Sequence, residues 1–235
     1  MIQITVLNSK LFFLKVDLTV IIFLTKEKVM LQIGGIRMCP FYNNDEKSQQ
    51  QKPLFSIKAK EMMEGKEIET ASKIMELVMN PPLTEKREIV FLCIGSDRYV
   101  GDALGPLVGT MLREKQVPYH VYGTLKEPVH AFNLKDVLKN INKKLKNPFI
   151  ISIDASIGEK SQVGFIIFKQ GPLSPGKALN KVLPDVGDYH IKGVVNYIDP
   201  LPPSQFVNDT RLFTVVNFAK TIVEIITLTG TKTSS

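Results

Sequence analysis

Residues 90–109 read Val-Phe-Leu-Cys-Ile-Gly-Ser-Asp-Arg-Tyr-Val-Gly-Asp-Ala-Leu-Gly-Pro-Leu-Val-Gly, and they constrain the fold more than any other stretch. The run from residue 89 to residue 94 is apolar without alternation, as a strand covered on both faces requires. It stops at Gly95, a short polar loop carries Asp97 and Arg98, and apolar residues then resume at helical spacing (Leu104, Leu107, Val108, Met111, Leu112). A second apolar run at residues 149–153 ends on Asp154. Further strands are predicted at 119–122, 163–168 and 190–195, and helices at 103–114, 133–145 and 209–228. Strands alternating with helices imply an α/β protein, a three-layer helix-sheet-helix sandwich around a mostly parallel sheet.

The chain has 235 residues, 44% hydrophobic and 23% charged, enough apolar material for one sizeable core with an appendage. The α/β domain is expected at 88–229, preceded by a helical lead-in at 61–87 and an N-terminal extension and linker at 1–60. In the lead-in, Ile68, Ala71, Ile74, Met75 and Val78 follow a helical period, and Asn80-Pro-Pro ends it. Residues 39–56 are polar and aperiodic, the pattern of a linker. Residues 1–37 are rich in Ile, Leu, Val and Phe, with Lys10, Lys15 and Asp17 interrupting. Three readings stand: a translation start at Met30 or Met38, one or two strands, or a membrane-associated segment. Uninterrupted apolar pieces are too short for a spanning helix, so stable membrane insertion is not expected.

In open α/β sheets, sites form beyond the carboxyl ends of the strands. Asp97 and Asp102 follow the first strand and Asp154 ends the later one, so both segments deliver carboxylates to one sheet edge. Asp102 also suits a helix N-cap, with Pro106 in the first turn. Asp154 needs a partner or a solvent-lined cleft to stay ionised. Two close carboxylates can divide general-acid and general-base work, or hold a divalent metal through their oxygens. Spacing does not choose between these.

Other chemistries have weaker support. Gly95, Gly101, Gly105 and Gly109 miss the spacing of a phosphate-binding loop, so no nucleotide cofactor is expected. Ser96 and Ser156 lack a base nearby in sequence. The histidines His120, His130 and His190 form no H-x-x-x-H pair. Net charge is +7, and Lys135, Lys139, Lys143, Lys144 and Lys146 lie on one predicted helix. Without interleaved aromatics this reads as a solvated face or an acidic-protein footprint, and nucleic acid is not expected as a partner. Cys39 and Cys93 share no context that suggests a disulfide, which favours a reducing compartment.

The segment Cys93-Ile-Gly-Ser-Asp-Arg-Tyr-Val-Gly-Asp-Ala-Leu-Gly-Pro-Leu-Val-Gly, with Ser152-Ile-Asp-Ala-Ser downstream, closely resembles the YyaC family of sporulation proteins. That family is similar to the spore germination protease and, more remotely, to the hydrogenase maturation endopeptidases. The resemblance implies a phosphorylase/hydrolase-like fold and an endopeptidase of the forespore or spore-core cytoplasm, with small acid-soluble spore proteins as substrates. Gly95 and Asp102-Ala-Leu-Gly-Pro match one protease motif, Ile153-Asp-Ala another, and Gly171-Pro-Leu-Ser-Pro-Gly a later loop, followed by Asn180 and Lys181. Asp102 and Asp154 would then be the essential carboxylates, with Asp97, Arg98, Ser96, Gly95 and Ser156 in support. The maturation endopeptidases imply a nickel set, for which Asp102 and Asp154 would be joined by His130 or His190. A homo-oligomer is compatible with all of these. The loop at 96–101 departs from the protease, and Asp154-Ala-Ser-Ile-Gly lacks its arginine. A spore protein that binds an acidic protein or nucleic acid without catalysis is therefore retained as an alternative, as is a metal-dependent maturation-type endopeptidase.

Overall fold

The computed structural model describes five strands between residues 3 and 38, and residues 52–59, 65–80, 87–175, 183–197 and 210–230. Cys39, most of the predicted linker, and Gly176, Asn180 and Lys181 of the later loop lie outside the described residues. The chain divides into two units, residues 1–50 and 51–235. The first is an antiparallel meander in which β1 (Gln3–Leu7), β2 (Leu11–Val16), β3 (Val20–Thr25), β4 (Lys28–Ile33) and β5 (Ile36–Met38) pair in chain order. The sequence reading allowed one or two strands in this segment, and the backbone forms five.

The second unit holds six strands and four helices among the described residues. In chain order they are β6 (Phe55–Lys58), α1 (Gly65–Met79), β7 (Ile89–Cys93), α2 (Leu104–Glu114), β8 (His120–Tyr122), α3 (Leu134–Lys144), β9 (Phe149–Gly158), β10 (Phe165–Gln170), β11 (Tyr189–Tyr197) and α4 (Leu212–Gly230). The sheet order is β6-β10-β11-β9-β7-β8. The β8, β7, β9 and β11 strands run parallel, and β10 is antiparallel to both its neighbours. The mostly parallel sheet expected from the sequence is present. β6 falls at the end of the stretch read as a linker.

Residue alternation along β7 assigns the two faces. Val90, Leu92 and Ile94 pack with Leu134 and Ile141 of α3, and with Leu173 and Val186. On the other face, the α2 helix packs against β7, β8 and β9, while α4 packs on α1, α2 and β11. Phe91, Ile151, Ile153, Val215, Phe218 and Ile222 are almost wholly withdrawn from water. Each such side chain contributes on the order of 1.5–3 kcal/mol. α1 buries the predicted stripe Ile68, Ala71, Ile74, Met75 and Val78, and the Ser72 and Thr229 hydroxyls, 3.1 Å apart, bond α1 to α4. The α4 helix is long and apolar enough to cross a membrane by length and composition, and half of that stretch is buried inside the protein.

At the opposite end of the sheet from the carboxylates, Arg87 joins three segments. Its Nη1 and Nη2 donate to the two Asp188 carboxylate oxygens at 3.0 and 3.2 Å, Nη2 also donates to the Pro148 carbonyl, and Nε donates to that of Asn147. Asp188 in turn accepts the Ile150 N–H at 2.8 Å. Arg87→Met should therefore lower stability by about 1–3 kcal/mol, because it removes the charged donors to a partly buried carboxylate, which keeps only the Ile150 N–H, and the donors to two carbonyls. Urea unfolding of the variant would measure this, and a change below ~0.5 kcal/mol would contradict the role.

Candidate active site at the carboxyl ends of β7 and β9

The connection from β7 through α2 leads outward to β8, whereas the connection from β8 through α3 returns past β7 to β9. The chain therefore reverses its direction of travel between β7 and β9, where an open α/β sheet leaves a crevice at the carboxyl edge. Asp102 and Asp154 both lie there.

The loop after β7 is held by backbone packing. Gly95 has φ +142°, a conformation that favours glycine, and a Cβ there would fall 2.1 Å from the Asp102 carbonyl oxygen. The Gly95 N–H donates to the Val129 carbonyl at 2.8 Å and the Ser96 N–H to the Asp102 carbonyl at 3.1 Å. These contacts draw the 3₁₀ turn Val100–Asp102 back over the end of the strand. Asp102 is not the N-cap of α2, which corrects that sequence-based alternative. Ala103 occupies the cap position, with helical φ and ψ and no side-chain cap bond. The carboxyl group of Asp102 is thus left available for other chemistry.

The β9 strand is longer than the sequence suggested. It continues to Gly158, so Asp154 sits within it, just past the point where β7 ends. The parallel register sets Lys192 of β11 directly across from Asp154. Lys192 was not among the sequence candidates. Its signal was a lysine in the apolar run His190-Ile-Lys-Gly-Val-Val, which a strand packed on both faces tolerates only beside a cleft or a counter-charge.

The two carboxyl groups are half-buried and interact. Burial pushes the Asp102 pKa up to about 6, against a smaller opposing contribution from the Ser96 backbone N–H. Burial raises Asp154 well above the ordinary carboxylate range, and the charge of Asp102 raises it further. The Ala155 N–H and Lys192 act in the opposite direction.

These shifts predict a pH effect on stability. Around pH 5 the native state keeps a proton on Asp102 that the unfolded chain has released, so this group makes stability fall as pH rises from about 4 to above 6. Buried His190 acts oppositely. Its pKa is lowered to about 4, chiefly by burial, so it makes stability fall as pH drops from about 6.5 toward 4. Asp102→Asn should therefore raise the unfolding free energy from urea melts at pH 7 by on the order of 2 kcal/mol, and change it little at pH 4. Equal shifts at both pH values would overturn the assignment.

The remaining candidates are dispersed. Asp97 and Arg98 are exposed in the turn after Ser96, whose Oγ accepts the Arg98 N–H at 3.3 Å. Ser156 lies on β9 with its hydroxyl 3.5 Å from the Gly193 carbonyl oxygen. His190 donates from Nδ1 to the Gly171 carbonyl at 2.8 Å. His130 accepts the Phe132 N–H at Nδ1, 3.3 Å away, and lines a separate cleft of about 310 Å³ between β8, α2 and α3. Among the described residues, no three His, Cys, Asp or Glu side chains are grouped to hold a metal ion. The nickel set implied by the maturation endopeptidases is therefore not assembled among those residues. Burial pushes the Cys93 thiol up, consistent with an inert packing residue.

A family model described as "Protein of unknown function (DUF1256)" matches residues 60–225, which include every strand of the sheet except β6. The "Uncharacterized protein YyaC" of Bacillus subtilis (strain 168) is 43% identical over 162 residues, 68% of this chain and 78% of that protein. The matched region contains both carboxylate segments and the register that opposes Lys192 to Asp154. This chain belongs to the DUF1256 family, the YyaC family that residues 93–109 and 152–156 resemble.

Proposed function

We propose that the protein is an aspartate-dependent endopeptidase that hydrolyses a protein substrate. One observation carries this reading: Asp102 and Asp154 are half-buried, mutually interacting carboxyl groups at the sheet's reversal point, both shifted toward holding a proton. Such a pair can hold one proton near neutrality, which divides acid and base roles between two chemically identical groups. Asp102, the less shifted, takes a proton from water as its oxygen attacks the amide carbon. Asp154 donates its proton to the carbonyl oxygen. As the tetrahedral species collapses, its hydroxyl proton returns to Asp154 and restores the carbonyl, the C–N bond breaks, and Asp102 passes the proton it took from water to the leaving nitrogen. Lys192, across from Asp154, keeps that group exchangeable.

The likeness of the Gly95, Asp102-Ala-Leu-Gly-Pro and Ile153-Asp-Ala motifs to the spore germination protease supports the same chemistry. It also suggests a forespore or spore-core setting and small acid-soluble spore proteins as first substrates to test. Incubation of the purified full-length chain with those proteins should give discrete fragments. Cleavage should fall about tenfold per pH unit below about pH 6, as Asp102 takes up its proton. Absence of fragments from wild type across pH 5–8 would exclude these substrates.

A further inference from the structure

The β9 strand outruns its neighbour. β7 pairs with β9 only through Cys93 and Ile153, with a last bond from the Ile94 N–H to the Ile153 carbonyl at 2.7 Å. The chain then turns away, since Gly95 bonds Val129 instead. β9 runs five residues further and stays paired with β11 on its other side through Gly158.

Backbone direction alternates along a strand. Phe149 donates to Glu88 and the Ile153 carbonyl accepts from Ile94, so the odd-numbered residues of β9 turn their backbone groups toward β7. Asp188 bonds the backbone of Ile150, so the even-numbered residues turn toward β11 and its approach. That alternation turns Ala155 and Ile157 toward the side past the end of β7, where no strand lies among the described residues, while the ladder with β11 shifts register between Val194 and Asn196, opposite Ser156 and Ile157. The Ala155 N–H interacts with the Asp154 carboxylate. Among the described residues, no strand pairs with β9 on the β7 side beyond Ile153, and Ala155 and Ile157 are half-buried. Such a strand edge is a template for one more strand.

We infer that residues 155–157 of β9 bind an extended segment of polypeptide as an added strand, which lays its peptide bonds beside Asp102 and Asp154. This inference rests on the endopeptidase reading and supplies its substrate-binding element. Residues 155 and 157 are roughly 7 Å apart along the strand, the interval at which an extended peptide repeats its own main-chain donors and acceptors. Recognition is through main-chain groups, so the added segment must be unfolded or a loop and must lack proline at the paired positions.

The test uses the full-length chain carrying Asp102→Asn and Asp154→Asn, which binds without cleaving, and a displayed library of randomised decapeptides as the probe. Peptides should be selected, and the Ile157 amide should exchange with deuterium quickly in the free protein and slowly in the complex. N-methylation of the peptide amide that pairs with the edge should weaken binding by about tenfold, with its side chains unchanged. The inference is overturned by any of three results: no peptide selected, selected peptides that leave Ile157 exchange unaltered, or an Ile157 amide already protected in the dilute free protein. The last would mean that another part of the chain or a second copy fills the edge. Peptides that protect Ile157 but are not cut by wild type would instead sustain the binding edge and remove the endopeptidase reading.

Discussion

Asp154→Asn should reduce cleavage of a protein substrate by about 10²–10⁴-fold while leaving the fold intact and substrate affinity nearly unchanged. The amide side chain keeps the size and polarity of the carboxyl group but has no proton to give at a useful pKa, so a general-acid contribution of this order disappears. The interactions around Asp154 favour a clean result. Burial and the charge of Asp102 both oppose ionisation of its carboxyl group, so a neutral amide relieves a cost instead of creating one. Loss of activity should therefore accompany unchanged or increased stability at pH 7, a combination that a purely structural aspartate would not produce. Asp102→Asn should behave alike. The double variant should be little worse than either single one, because two groups sharing one proton act as a unit. Kinetics on all three variants with parallel urea melts would check this. Activity within threefold of wild type in either single variant would remove the paired-carboxylate mechanism.

The second large effect concerns folding. Gly105→Ala should destabilise the protein by about 3 kcal/mol or more. A Cβ at Gly105 would lie 2.0 Å from the Ile94 carbonyl oxygen and 2.6 Å from the Ile94 nitrogen, both backbone atoms that cannot rotate aside. The whole of α2 would have to lift off the sheet, and Asp102 sits in the turn that leads into it. Gly109 makes the same kind of approach one turn later, where a Cβ would stand 1.8 Å from the Gly123 carbonyl oxygen. Gly65, the first residue of α1, has nothing within 4 Å of a Cβ. Gly65→Ala is thus the control and should be neutral or stabilising by about 0.5–1 kcal/mol. Thermal melts of the two variants should separate widely, and similar midpoints would show that α2 does not depend on this contact.

The same glycines mark how far local pattern can be read. Their spacing excluded a phosphate-binding loop, but the positive reason for them lies in the close approach of α2 to β7 and β8. Hydrophobic period located α1, α2, α3 and α4 to within a few residues, because a stripe that must face a core repeats at the helix's own interval. Strands were placed equally well where both faces are covered, as in β7. The carboxyl end of β9 was missed because Asp154-Ala-Ser-Ile-Gly is not an apolar run. Pairing with β11 holds it extended, and pairing partners are set by the whole sheet. β6 was missed for a related reason. It is a four-residue edge strand whose definition comes from antiparallel pairing with β10.

From sequence alone, the order of elements, the layered α/β class and the delivery of Asp102 and Asp154 to one sheet edge could all be determined, since each follows from periodicity and from where strands end. Sequence could not decide whether Asp102 caps a helix, that Lys192 stands opposite Asp154 in the sheet, or that residues 155–157 run on beyond the end of β7. Those depend on strand register and on backbone-to-backbone approach, which bring together groups dozens of residues apart. The candidate chemistry was written locally as two carboxylates. Their mutual interaction, and the burial that raises both pKa values, arise only when β7, β9 and β11 assemble.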